Sequence, residues 1–155
     1  MVLPDPSAHP ASRALRVLLI DDSATDRLLV EEAFALTDDL ICTLTTAPGG
    51  AEALARLRTP DAVLPDVILL DINMPLMSGF EVLAALKADS QLAVLPVVMF
   101  TASRSQEDVT QAYTLHATAY LLKSPAFYSF LEQVEAFIRF WSRTSSPLRL
   151  NVPRD

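Results

Sequence analysis

The sequence predicts an α/β fold, a five-stranded parallel sheet with helices on both faces. Three observations carry the prediction. Short apolar runs at residues 17–20, 67–70, 97–100 and 119–122 lack polar alternation, the pattern of strands buried on both faces. Stretches with helical spacing separate them. The chain has 155 residues, 51% of them hydrophobic, which suits one domain with a filled core.

In chain order, residues 17–20 form the first strand. Ser23 can cap a helix over 24–36 that turns Leu29, Ala33 and Leu36 to one face. A weaker strand follows over 41–45, then a turn at Pro48-Gly49-Gly50 and a helix over 51–58 with Leu54 and Leu57 inward. The third strand, 67–70, leads into a loop over 73–79 with turn chemistry and a helix over 80–87. Pro96 introduces the fourth strand. Ser105 and Asp108 read as a capping box ahead of Val109, Ala112, Tyr113 and His116, spaced i, i+3, i+4, i+7. The fifth strand ends at Lys123. A last helix spans 127–141, where Phe127, Phe130, Leu131, Val134, Phe137, Ile138 and Trp141 form one stripe and Tyr128 and Phe140 fall outside it. Residues 1–14, with Pro4, Pro6 and Pro10, read as a flexible tail, and 143–155 as a second one. Right-handed crossovers put helices on both faces. The natural arrangement is a flavodoxin-like, doubly wound three-layer sandwich with strand order 2-1-3-4-5.

Composition excludes several roles. A formal charge of −7 with scattered Lys and Arg argues against a nucleic-acid surface. Cys42 is the single cysteine, so no intrachain disulfide forms, which fits a reducing cytoplasm. No apolar run approaches the ~20 residues of a membrane span, and the N-terminal stretch lacks the apolar region of a secretory signal. His9 has no partner cluster, and His116 reads as a helix end rather than a metal ligand.

The chemistry lies where the strands stop. The first runs into Asp21-Asp22, the third into Asp71, the fourth into Thr101 and the fifth into Lys123. Ligands of open parallel sheets sit outside these carboxyl ends, and the predicted order makes strands 1, 3, 4 and 5 neighbours. An Asp after a strand often only caps the next helix, but Ser23 is available for that, and capping leaves Asp71 unexplained. Carboxylates brought together oppose one another's ionisation. A cation such as Mg2+, which favours hard oxygen ligands and retained waters, removes the conflict. Asp22 and Asp71 would ligate it directly and Asp21 through water. Asp71 is also the best nucleophile, able to attack phosphorus in line and form an acyl phosphate. Thr101 and Lys123 would hold phosphoryl oxygens, a task of positioning and charge neutralisation.

These residues resemble the response regulator receiver domain of bacterial two-component signalling. The matching pieces are Leu19-Ile20-Asp21-Asp22, the stretch Asp71-Ile72-Asn73-Met74-Pro75-Leu76-Met77-Ser78-Gly79, Phe100-Thr101-Ala102 and Tyr120-Leu121-Leu122-Lys123. The resemblance covers about residues 16–141 and implies a receiver domain over 15–142. It implies that Asp71 is the phosphoacceptor, that Asp21 and Asp22 are the acidic metal pair, and that the Asn73 backbone carbonyl is a further ligand. The implied metal is Mg2+, with Mn2+ or Ca2+ as substitutes. Thr101 and Lys123 become the phosphoryl contacts, Thr101 and Tyr120 the switch, and Asn73 and Ser103 the tuners of phosphoaspartate lifetime. The protein is then no enzyme in the ordinary sense, but a phosphoacceptor that assists its own phosphorylation and dephosphorylation.

Most receivers carry Pro directly after the lysine. Here Ser124 intervenes before Pro125. That departure, with Leu115-His116 and the ending Phe137-Ile138-Arg139-Phe140-Trp141, is similar to the single-domain regulators that partner bacterial phytochromes. It implies a sensor histidine kinase of that kind as partner and a homodimer through helix 4, strand 5 and helix 5, with Tyr128, Phe137, Phe140 and Trp141 on the shared face. Thirty-two residues follow Lys123, room for one helix and a tail, so output through protein contacts or phosphate relay is expected. Two other readings stand beside this one. A metal-dependent aspartyl phosphatase usually carries its nucleophile after the first strand, and an unphosphorylated scaffold would not need the full set Asp22, Asp71, Thr101 and Lys123.

Overall fold

The structure, a computed structural model, describes residues 14–37 and 42–143. Five strands, β1 (Leu15–Ile20), β2 (Cys42–Ala47), β3 (Val67–Leu70), β4 (Val97–Thr101) and β5 (Ala119–Leu122), alternate with five helices, α1 (Ala24–Ala35), α2 (Gly50–Leu57), α3 (Gly79–Ala88), α4 (Gln106–Thr114) and α5 (Phe127–Arg143). All strand pairs are parallel, in the order β2-β1-β3-β4-β5. This is the predicted doubly wound arrangement. Of the predicted tails at 1–14 and 143–155, residues 1–13 and 144–155 lie outside the described residues.

The period-2 geometry of strands explains why the apolar runs show no alternation. Leu18, Ile20, Ile68, Leu70, Val97 and Met99 face a core completed by α2, α3 and Ala112 of α4. Their neighbours Val17, Leu19, Val67, Leu69, Val98 and Phe100 face a second core made with α1 and α5. In β1, β3 and β4 these residues each have a buried face to fill, so they are apolar. The run 119–122, expected to be buried on both faces, instead forms the edge strand β5 and is only partly covered, with Leu122 exposed.

The register positions the functional residues. Ile20 pairs with Leu70, and Leu70 with Met99, so the residues after β1 and β3 emerge side by side. The Asp71 amide donates to the Ile20 carbonyl at 3.0 Å, and the Lys123 amide to the Thr101 carbonyl at 2.8 Å. One edge of the sheet therefore carries all four chemical positions.

Several local expectations need correction. Along α1 the buried residues are Val30, Ala33 and Phe34, while Leu36 is 62% exposed. The helix ends at Ala35, and Leu36 has left its inward phase. The second strand extends to Ala47 rather than Thr45, because pairing with β1 carries the ladder to Ala47 opposite Ile20; residue 41 is outside the described set. As an edge strand only Ala47 is buried, which accounts for its weak apolar signal. In α4 only Ala112 is buried and Tyr113 is exposed. In α5 the stripe from Phe130 to Trp141 is core, but Phe127 is exposed at the helix start. The helix also continues through Arg143, past the expected boundary.

His116 ends α4 as its sequence position suggested. Its φ is 70°. The Ala117 amide donates to Ala112 and the His116 amide to Tyr113, at 2.9 and 3.0 Å, the paired bonds of a Schellman ending.

Gly79 marks a close approach of backbones. A Cβ there would stand 2.1 Å from the Asp71 carbonyl oxygen and 2.8 Å from the Ile72 Cα. Both are main-chain atoms that can retreat only by moving the loop beneath the site. Gly79→Ala is therefore expected to destabilise the protein by about 1–3 kcal/mol, read by urea unfolding. A change within about 0.5 kcal/mol, the size of a surface substitution, would contradict this packing.

Candidate functional site

The loop after β1 begins with a hydrogen-bonded turn. The buried Asp21 carboxylate accepts the Ser23 amide at 2.9 Å, and Ser23 in turn caps α1 by accepting the Asp26 amide at 3.2 Å. Ser23 is thus the cap, and Asp22 is left exposed to solvent. The Arg27 guanidinium donates to the Asp21 carbonyl at 2.7 Å and fixes the same turn.

Asp21, Asp22 and Asp71 each offer a carboxylate oxygen within 4.8 Å of the others. Asp71 is buried, and its Oδ1 accepts the Ile72 amide at 2.8 Å. Burial is the main force pushing its carboxyl above the ordinary value. Lys123 opposes the shift, the Asp21 charge adds to it, and the Ile72 amide and Thr101 hydroxyl oppose it.

Lys123 brings in the one ammonium. Its Nζ lies 2.7 Å from Asp21 Oδ2, 2.9 Å from Asp26 Oδ2 and 3.8 Å from Asp71 Oδ2. It also stands over the Phe100 ring at 5.8 Å, within cation–π range. Burial alone would lower the lysine. Hydrogen bonds to Asp21 and Asp26 and the charges of Asp21 and Asp71 outweigh it and raise the group above its ordinary value. Lys123 is a charged donor at neutral pH.

The donor set fits a hard divalent cation. Three carboxylates converge, and one ammonium shared among them leaves negative charge over. Asp21 already uses one oxygen on the Ser23 amide and the other on Lys123, so Asp22 and Asp71 hold the freer oxygens. The exposed Asn73 follows on the loop after Asp71.

Thr101 is buried at the end of β4, and its Oγ1 accepts the Ser103 amide at 3.2 Å. Ser103 donates its hydroxyl to Asp108 Oδ2 at 2.5 Å, and its carbonyl accepts the Tyr120 hydroxyl at 2.9 Å. Tyr120 is half-buried. Burial, countered by the Ser103 bond and reinforced by Asp108 and Asp71, raises its phenol, so it remains a donor at neutral pH. The expected capping box is only half formed: Ser105 Oγ accepts the Asp108 amide, but the Asp108 carboxylate is engaged by Ser103 instead of returning to Ser105.

The sequence does not show the part that three residues play at the site. Asp26 looks like an ordinary acidic first-turn residue, and only the fold brings it to Lys123. Asp108 was assigned to capping. Gln133 of α5 accepts the Ser124 amide at 3.0 Å and donates to the Leu122 carbonyl at 2.5 Å. A proline at 124 would have no amide to give, so this clamp requires a residue other than proline there. No cis peptide occurs among the described residues.

The four residues expected on a shared face divide. Phe137 and Trp141 belong to the core with α1 and β4, whereas Tyr128 and Phe140 are 79% and 62% exposed. Stripe residues point at the sheet, so within one chain only the latter two present broad apolar surface.

A family model for the response regulator receiver domain matches residues 17–135. Response regulator Rcp1 of Synechocystis is 35% identical over 132 residues, covering 83% of this chain and 89% of Rcp1. The phosphorylated cyanobacterial phytochrome response regulator RcpA superposes with a TM-score of 0.81 at 33% identity, covering 86% of this chain and 99% of that one. The Mn2+-bound form of Rcp1 gives a TM-score of 0.77 at 34% identity, covering 85% and 97%. No helix among the described residues is long and apolar enough to cross a membrane.

The elevated Asp71 carboxyl has a consequence for stability. A raised carboxyl binds its proton more tightly folded than unfolded. Its contribution is fully present below the unfolded value, near 3.8, and is lost as pH rises through the higher folded value. Ionised Asp71 therefore weakens the fold at neutral pH. Without divalent cation, Asp71→Asn should melt above wild type at pH 7, with the gap closing toward acid. A gap of the opposite sign, or one constant with pH, would contradict this.

Proposed function

The chain belongs to the response regulator receiver domain family, and on that premise we propose that it takes a phosphoryl group from a sensor histidine kinase onto Asp71. The observation that carries this reading is the juxtaposition of the buried Asp71 carboxylate with Lys123, Thr101, Asp21 and Asp22 at one sheet edge. Asp71 attacks phosphorus while the bond from phosphorus to the donor histidine nitrogen breaks. The new bond is an acyl phosphate, and the freed imidazole takes up a proton. Lys123 and Thr101 receive phosphoryl oxygens. Asp22, Asp71 and the Asn73 carbonyl would hold Mg2+ directly and Asp21 would act through water, an assignment supported by the two oxygens of Asp21 being already engaged. Bound there, Mg2+ would neutralise developing charge on the phosphoryl oxygens. Mn2+ is a substitute supported by the Mn2+-bound Rcp1 relative, and Ca2+ is another.

Thr101 and Tyr120 would form the switch, since both bond to Ser103. A pull on Thr101 then reaches β5 through one residue. Asn73 and Ser103 would set the phosphoaspartate lifetime. A phytochrome-type kinase is the partner favoured by the similarity to RcpA, a cyanobacterial phytochrome response regulator, and a cytoplasmic location fits such a partner. Output would run through a homodimer built on α4, β5 and α5. The exposed Tyr113, Leu122, Tyr128 and Phe140 on those elements support an apolar contact, with two-fold symmetry the default.

Incubated with acetyl phosphate and Mg2+, the wild type should gain one phosphoryl group by intact mass and Asp71→Asn none. Equal labelling of the variant would overturn the site. For the assembly, light scattering should give a dimer for the wild type at micromolar concentration and a shift toward monomer for Phe140→Asp. A monomeric wild type would sink the dimer.

A further inference from the structure

Lys123 is held by two carboxylates before any phosphoryl group arrives. An ammonium has three donors. Asp21 takes one at 2.7 Å and Asp26 another at 2.9 Å, while Asp71 at 3.8 Å is beyond hydrogen-bond reach. Asp21 stands on the turn after β1, but Asp26 belongs to the first turn of α1. Its amide is already used in the Ser23 cap, which fixes where its side chain starts. Asp26 is partly exposed and Lys123 nearly covered. The Phe100 ring lies 5.8 Å from the ammonium.

We propose that Asp26 is a positioning residue for phosphoryl transfer: with Asp21 it holds the Lys123 ammonium short of Asp71, leaving a gap for a phosphoryl oxygen. The inference rests on Asp71 being the phosphoacceptor. Without Asp26, the flexible lysine stem has one fixed anchor left, and the nearest uncommitted negative charge is the nucleophile itself. The ammonium then closes onto Asp71, masking the attacking carboxylate and filling the space the phosphoryl oxygen needs. An acidic residue in a first helical turn also favours the helix dipole, but that role asks nothing of Lys123.

The test is the rate of phosphorylation by acetyl phosphate at saturating Mg2+, with donor concentration varied. Asp26→Asn should lower the maximal rate by about tenfold, within the range a misplaced group brings. The half-saturating donor concentration should be unchanged or lower, because removing a negative charge does not repel an anionic donor. Asp26→Glu should restore part of the maximal rate. An undiminished maximal rate in Asp26→Asn overturns the proposal. So does a loss carried by the half-saturating concentration, or one that Glu leaves unrepaired. Asp71→Asn is run in parallel: labelling of that variant would overturn the phosphoacceptor reading itself, whereas its silence together with normal Asp26→Asn kinetics would overturn only the role of Asp26.

Discussion

The crowding of carboxylates around one ammonium is the constraint on which the rest of the site depends. Asp21, Asp22 and Asp71 bring oxygens within 4.8 Å, and two unit charges 4 Å apart repel by about 4 kcal/mol at an effective dielectric of 20. A packed core has no reason to accept that unless something opposes it. Lys123 is the internal opposition, reaching Asp21 and Asp26 directly and Asp71 at longer range. One positive charge among these carboxylates leaves a deficit, and the residual negative potential is what suits the place to a divalent cation. Burial, with the Asp21 charge added, raises the Asp71 carboxyl against the pull of Lys123, so its ionisation responds to whatever neutralises its surroundings.

The sheet makes the crowding possible, and its two cores keep it in place. Strands buried on both faces cannot shift by one residue without turning every side chain to the wrong core. The register that aligns Ile20 with Leu70 is therefore held by the whole sandwich. Gly79 then lets the loop after β3 fold back against the Asp71 main chain. On the other side, Thr101 bonds to Ser103, and Ser103 in turn bonds to Asp108 and Tyr120, so the site is tied to α4 and β5 through one residue. Gln133 ties the segment after Lys123 to α5. α4, β5 and α5 are thus fastened to the site at a few named bonds.

Much of this was legible in the sequence because the information is local. Apolar runs ending in Asp21, Asp71, Thr101 and Lys123 announce buried strands with chemistry at one edge, and parallel order alone brings those ends together. What was not legible depends on contacts between distant elements. Asp26 reads as a helix-start acid, and its ion pair with Lys123 spans ninety-seven positions. Asp108 reads as a cap because Ser105 precedes it, yet the Ser103 hydroxyl competes for the same carboxylate. Leu36 has the right spacing for α1 but sits one residue after the helix stops. Phe137 and Trp141 lie on the apolar stripe visible in the sequence, yet the resemblance put them on a shared face with Phe140, and the packing of α5 on the sheet decides for the core.

The claim that this edge is built for one acyl phosphate is tested most directly on the unmutated protein. Borohydride reduces an aspartyl phosphate to homoserine, so the phosphorylated chain can be reduced and its peptides read by tandem mass spectrometry. Homoserine is expected at position 71 and unmodified aspartate at positions 21, 22 and 26. Homoserine at any of those three with none at 71 would contradict the claim.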